Sequence, residues 1–115
     1  MKNHGFIRTA AAVPVVKVAD VAHNVTEICR LAGEASEKEV SLIVFPELSL
    51  TGATCGDLFC NSLLIKAAED GVRKIAEFSQ GKDITIVVGA PVKYANHLYN
   101  TSVIINNGCV KGIVP

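Results

Sequence analysis

The chain has 115 residues, half of them apolar, with eleven basic and eleven acidic side chains and a formal net charge of zero. That length bounds it to one domain at most, with enough chain to bury one core. Zero net charge gives no electrostatic footprint for nucleic acid or an acidic membrane, and no apolar run approaches the ~20 residues of a membrane span.

Met1-Lys2-Asn3-His4-Gly5 leads straight into a strand and lacks the apolar core of a signal peptide, so a cytoplasmic protein is expected. Four cysteines, Cys29, Cys55, Cys60 and Cys109, are then expected as thiols rather than as a disulfide framework. Two sequons, Asn24-Val25-Thr26 and Asn100-Thr101-Ser102, carry no glycosylation meaning in such a chain.

Phe6–Val13 reads as a first strand, followed by Pro14 and a connection through Val15, Val16 and Val18 that is apolar enough to lie against the body of the protein. Asp20 is placed to cap a helix. Val21, Val25, Ile28, Ala32 and Ala35 recur at helical spacing behind it, with Cys29 and Leu31 widening the stripe. Cys29 is expected as a small core residue and His23 as a solvated one. The charged run Glu34–Glu39 closes the helix.

Val40–Phe45 is a continuous apolar run and predicts a strand buried on both faces. Pro46 removes a backbone donor and ends the ladder. Glu47 comes next, at the carboxyl end of a buried strand, where open α/β sheets bind ligands. A carboxylate in apolar company there is expected to be partly desolvated, which raises its pKa and suits a general base. The plainer reading is a surface glutamate that starts a loop.

Thr51–Asp57 is rich in small and turn-forming residues and predicts irregular chain, with Asp57 capping a short turn that carries Leu58 and Phe59. Leu64, Ala67, Ala68, Val72, Ile75 and Ala76 share the face of a second helix, closed by Phe78 and ended by Gln80–Asp83. Gly71 inside it costs about 1 kcal/mol of helix propensity. Ile84–Ala90 is a further buried strand closed by Pro91, and Leu98–Ile105 is the next. Asn107-Gly108 is a type I′ hairpin signal that pairs Cys109–Val114 antiparallel with it. The order implies an α/β fold with right-handed crossovers and a hairpin extension of one mixed sheet. No internal repeat or low-complexity segment interrupts residues 1–115.

Phe45-Pro46-Glu47-Leu48-Ser49-Leu50-Thr51-Gly52 resembles the first catalytic motif of the nitrilase, or carbon–nitrogen hydrolase, superfamily. Its continuation, Ala53-Thr54-Cys55-Gly56-Asp57-Leu58-Phe59, resembles the glutamine-amidase domain of the glutamine-dependent NAD synthetase family. The resemblance runs from Gly5 to Pro115. It implies the N-terminal half of a nitrilase-like α-β-β-α sandwich. Gly108-x-x-x-Gly112-x-x-Pro115 resembles that family's lead-in to a catalytic lysine, which would be the next residue. The family's nucleophilic cysteine lies further downstream. The chain therefore reads as the N-terminal piece of a longer protein.

In that family a cysteine attacks the amide carbon of glutamine, a glutamate takes the thiol proton and later activates water, and a lysine stabilises developing charge. Only the glutamate carries over, as Glu47, so these residues alone are expected to hydrolyse no glutamine. The resemblance implies ATP and magnesium for a separate synthetase domain that amidates nicotinic acid adenine dinucleotide to NAD. It also implies glutamine and the remainder of the chain as partners, and a homo-oligomer. It places no cofactor or metal on residues 1–115.

Two other readings remain. One is a stand-alone amidase or carbamoylase that uses Glu47 without ATP, and the other is a truncated, non-enzymatic chain acting by association. Cys55 on its Gly-flanked loop is a rival nucleophile, but Asp57 is the nearby charge and disfavours a thiolate. Cys55-x₄-Cys60 lacks a second ligand pair for a metal, and His97 has no partner in sequence. Ala53 departs from the family's tyrosine beside the site entrance, which puts the fit to glutamine or the coupling between domains in question. Tyr99-Asn100-Thr101 also matches a family segment. On its residues it reads as strand packing by Tyr99 and a turn tied by Asn100.

Overall fold

A computed structural model describes residues 5–115; the expectation for the leading segment Met1–His4 lies outside them. One five-stranded sheet runs in chain order, with β1 (Thr9–Ala11), β2 (Leu42–Val44) and β3 (Thr85–Tyr94) parallel. β4 (His97–Asn106) and β5 (Cys109–Val114) extend it antiparallel. Helix α1 (Val21–Glu37) connects β1 to β2, and α2 (Ser62–Ser79) connects β2 to β3. This is the α/β, mixed-sheet arrangement expected of half a nitrilase-like sandwich.

Each helix starts where a short polar side chain can cap it. Asp20 Oδ1 accepts from His23 N at 3.1 Å, and Asn61 Oδ1 accepts from Leu63 N at 2.8 Å. The stripe Val21, Val25, Ile28, Ala32 and Ala35 is buried as its spacing requires. Ile28 and Ile75 from the helices meet Ile43, Ile86, Val88, Val103 and Ile105 from the sheet in one core. Strand residues alternate between faces, so Ile86 and Ile105, paired across β3 and β4, both point to the helices. Cys29 packs against this core, partly buried.

Several expectations need correction. β1 is only Thr9–Ala11; Phe6, Ile7 and Val13 are exposed. The connection after Pro14 does lie on the body, through the buried ring of Pro14, the half-buried Val16 over Gly52 and backbone bonds, while Val15 and Val18 are exposed. His23, expected to be solvated, is half-buried, with Nε2 3.0 Å from Val15 O. The central strand is buried on one face only. Val44 is 40% exposed, because within these residues both helices lie on the other side. Asp57 lies inside a 3-10 turn, Gly56–Cys60, and does not cap it.

β3 does not stop at Pro91. It continues to Tyr94, because beyond Gly89 it has only β4 beside it and a missing N–H on the open side breaks no ladder. The β3–β4 hairpin turns at Ala95 and Asn96, at φ 51° and 64°, a conformation that alanine does not advertise in sequence. Asn107-Gly108 forms its expected turn at φ 45° and 82°. That turn is anchored to the end of α2: Gly108 N donates to Ser79 Oγ at 2.9 Å and Gly81 N donates to Asn107 Oδ1 at 3.0 Å.

Candidate active site

Beyond Val44 the chain leaves the sheet in steps. Phe45 N still donates to Val87 O at 2.9 Å, keeping Phe45 in register and its ring in the core. Pro46 and Glu47 then rise onto the face of the sheet opposite the helices, and both are exposed. Leu48 reverses the chain at φ 51°, and its carbonyl accepts from Thr51 N at 3.2 Å and Gly52 N at 2.8 Å. Ser49, Leu50 and Thr51 are buried again.

Gly89 makes the crossing possible. A Cβ there would sit 2.3 Å from Leu48 N, 2.7 Å from Pro46 O and 2.9 Å from Glu47 C. Its neighbours Val88 and Ala90 are buried against the helices, so the missing side chain is on the opposite face. The loop backbone lies flat on β3 where that Cβ would be. Gly89 also bonds the loop at both polar atoms. Its N–H donates to Ser49 Oγ at 3.1 Å, and its carbonyl accepts from Leu50 N at 3.1 Å.

A second clamp comes from α1. Asn24 is fully buried, and its Nδ2 donates to Leu50 O at 2.9 Å and to Lys17 O at 2.8 Å, while its Oδ1 accepts from Lys17 N at 2.8 Å. Ala19 N adds a bond to Thr51 O at 2.7 Å. The β1–α1 connection and the Glu47 loop are thus tied together over one asparagine. Cys55 closes the far side, its thiol donating to Thr51 O at 3.2 Å and lying 3.4 Å from Gly52 O.

The crest of this rigid loop presents the Glu47 carboxylate. Asn100 on β4 donates from Nδ2 to Glu47 Oε1 at 2.5 Å, across 53 positions of sequence. Thr101 is buried and its hydroxyl donates to Ala90 O, so Asn100 points to the open face where Glu47 lies. Glu47, expected in apolar company, is instead exposed, because Phe45 and Leu50 turn into the core while the carboxylate stands at the crest. The reading of Asn100 as a residue that ties a turn is also corrected: it lies inside β4 and binds the carboxylate. The family-like Tyr99-Asn100-Thr101 segment was the available signal.

Cys55 is buried and both its acceptors are backbone carbonyls, which does not leave its sulfur placed to attack a substrate. Cys60 is exposed, and among the described residues no group of three or more His, Cys, Asp or Glu could hold a metal. His97 stacks edge-on to Tyr99 at 6.3 Å between centroids. Ala53 is exposed on the loop beyond Gly52. An apolar groove of about 630 Å³ between α2 and strands β3–β5 lies on the helix side and includes neither Glu47 nor Asn100.

The family model for carbon-nitrogen hydrolases matches residues 8–110. The chain belongs to the carbon–nitrogen hydrolase family. A glutamine-dependent NAD(+) synthetase of Mycobacterium leprae is 37% identical over 113 residues, covering 98% of this chain and 17% of the relative. The crystal structure of a glutamine-dependent NAD(+) synthetase from Cytophaga hutchinsonii superposes with a TM-score of 0.87 at 33% identity, over 93% of this chain and 18% of that one. A C145A mutant of a Nesterenkonia amidase from the nitrilase superfamily shares the carbon–nitrogen hydrolase fold, with a TM-score of 0.81 at 19% identity, over 93% of this chain and 41% of the amidase. The chain thus spans about a sixth of the length of the synthetases it matches. No helix among the described residues is long and apolar enough to cross a membrane.

Proposed function

We propose that residues 1–115 form the part of a glutamine-hydrolysing amidase that carries its general base, Glu47. The observation that supports this reading is an exposed carboxylate on a loop clamped from three sides, in a chain similar over 98% of its length to a glutamine-dependent NAD(+) synthetase. Such a base takes a proton from the attacking thiol, and later one from the water that releases glutamate. A positioned base of this kind contributes ~10²–10⁴-fold.

The nucleophilic cysteine and the charge-stabilising lysine belong, on this reading, to sequence after Pro115. Cys55 does not substitute for that nucleophile. Residues 1–115 by themselves release no ammonia. In the complete enzyme ammonia passes to a separate domain, which uses ATP and magnesium to activate nicotinic acid adenine dinucleotide for amidation to NAD. The work of this chain's residues is confined to holding and exposing Glu47.

The test is ammonia release from glutamine by the full-length gene product, with and without ATP and nicotinic acid adenine dinucleotide. Release that rises with both, accompanied by NAD and abolished by Glu47→Gln, is the expected result. Release indifferent to the two ligands marks a stand-alone amidase. Release unaffected by Glu47→Gln removes Glu47 from the chemistry.

A further inference from the structure

Glu47 Oε1 and Oε2 are chemically alike in a free carboxylate, yet the structure treats them differently. Oε1 receives the Asn100 amide at 2.5 Å. An ionised carboxylate only accepts hydrogen bonds, so the amide nitrogen is the atom that must face it. A neutral amide holds the oxygen without neutralising it and without a readily transferable proton, unlike a lysine or histidine.

The approach is built by two strands that β2 does not touch directly at that level. Gly89 on β3 leaves the space over which the Pro46–Leu48 backbone crosses the sheet, and Asn100, two positions on β4 from the residue paired with Gly89, stands where the carboxylate arrives. Both partners are exposed, so the bond is not needed to satisfy a buried group.

We propose that Asn100 is a positioning residue for Glu47: it anchors Oε1, so that Oε2 is the oxygen that accepts the proton in the reaction. This rests on the reading of Glu47 as the general base. The step is a proton transfer alone. Oε2 gains the proton that the thiol loses, the thiol sulfur keeps the electron pair, and the Asn100 bond to Oε1 persists throughout. A base with one oxygen anchored presents a single lone-pair direction to the thiol, and a misplacement of about 1 Å in such a geometry costs about a hundredfold in rate.

The first experiment needs no activity. The Asn100 side-chain amide is followed in proton–nitrogen correlation spectra of the full-length gene product, selectively labelled at asparagine, through an acid titration. Its NH₂ signals are expected to move as Glu47 takes up a proton, and Glu47→Gln is expected to abolish that response while other side-chain amides behave as before. An Asn100 amide that ignores pH, or responds equally in Glu47→Gln, overturns the proposal.

The second experiment uses the full-length gene product. Asn100→Asp keeps the size of the side chain but replaces the donor by a carboxylate that repels Glu47. It is expected to lower kcat at least about tenfold with KM changed by less than about twofold. Because the site is on the surface, its thermal midpoint is expected to stay within about 4 °C of the parent. An unchanged kcat overturns the proposal. Wild-type protein that releases no ammonia defeats the reading of Glu47 as the base, whereas the titration still decides whether Asn100 holds it.

Discussion

Asn24 and Asn100 do similar work from opposite sides of the Glu47 loop. Each spends a side-chain amide on a segment distant in sequence, one on the loop backbone at Leu50 and one on the carboxylate itself. The cysteines divide in the same physical terms. Burial pushes the Cys29 thiol up from its ordinary value, an effect only partly offset by the nearby charge of Lys82, and Cys55 is enclosed with both its contacts on carbonyls. Cys60 and Cys109 are exposed. Under mild alkylation of the folded chain near neutral pH, Cys60 and Cys109 should be modified well before Cys29 and Cys55, as peptide mass mapping would show. Early modification of Cys55 would revive it as a nucleophile. Glu47 was legible in sequence because a proline and a carboxylate follow an apolar run. Asn24 was not, since an asparagine at an apolar spacing looks like a break in the stripe, and its three partners come from two other segments.

At the level of elements, close approach is set by glycines. Gly71 was legible only as a weakness in α2, yet a Cβ there would lie 2.9 Å from Val21 Cγ1, 3.0 Å from Val25 Cγ2 and 3.2 Å from Leu50 Cδ2. It is the point at which α1 rests on α2 with Leu50 beneath. Gly71→Ala gains about 1 kcal/mol of helix propensity but overpacks branched side chains, which costs about 1–3 kcal/mol. A net loss of about 1 kcal/mol in a denaturant melt is expected, and a gain would show that the helices can slide apart freely. Helix positions were readable from the period of Val21–Ala35 and from their caps, since both signals are local. Strand limits were less readable. The run through Pro91 depends on which side of β3 is paired, and the turn at Ala95-Asn96 depends on hairpin twist, neither of which is a property of the residues themselves.

For the whole molecule the decisive fact is the asymmetry of the sheet. One face is packed by two helices; the other carries Val44, Leu98 and Val114 in the open, along with the Glu47–Asn100 pair. The fold class was legible because alternating strands and helices admit few topologies. The one-sided burial was not, because a run such as Leu42–Phe45 records the environment for which it is suited rather than the one these residues supply. Contiguous apolar surface of this kind favours association. Residues 1–115 in isolation are therefore expected to form dimers or larger species at micromolar concentration, measured by light scattering coupled to size exclusion. A monodisperse monomer with a cooperative melt would show that the open face is tolerated by itself.

The two asparagines that organise the loop share one more property: each opens an Asn-x-Thr or Asn-x-Ser triplet. The nitrogen that a glycan would take is Nδ2, the atom with which Asn24 holds Leu50 and Lys17 and Asn100 holds Glu47. A chain produced through a eukaryotic secretory host would meet the glycosylation machinery before it had folded. A sugar on Asn24 would then have no room in the core, and one on Asn100 would occupy the open face that carries Glu47. The choice of expression host is, for this protein, a choice about whether the loop can be assembled at all.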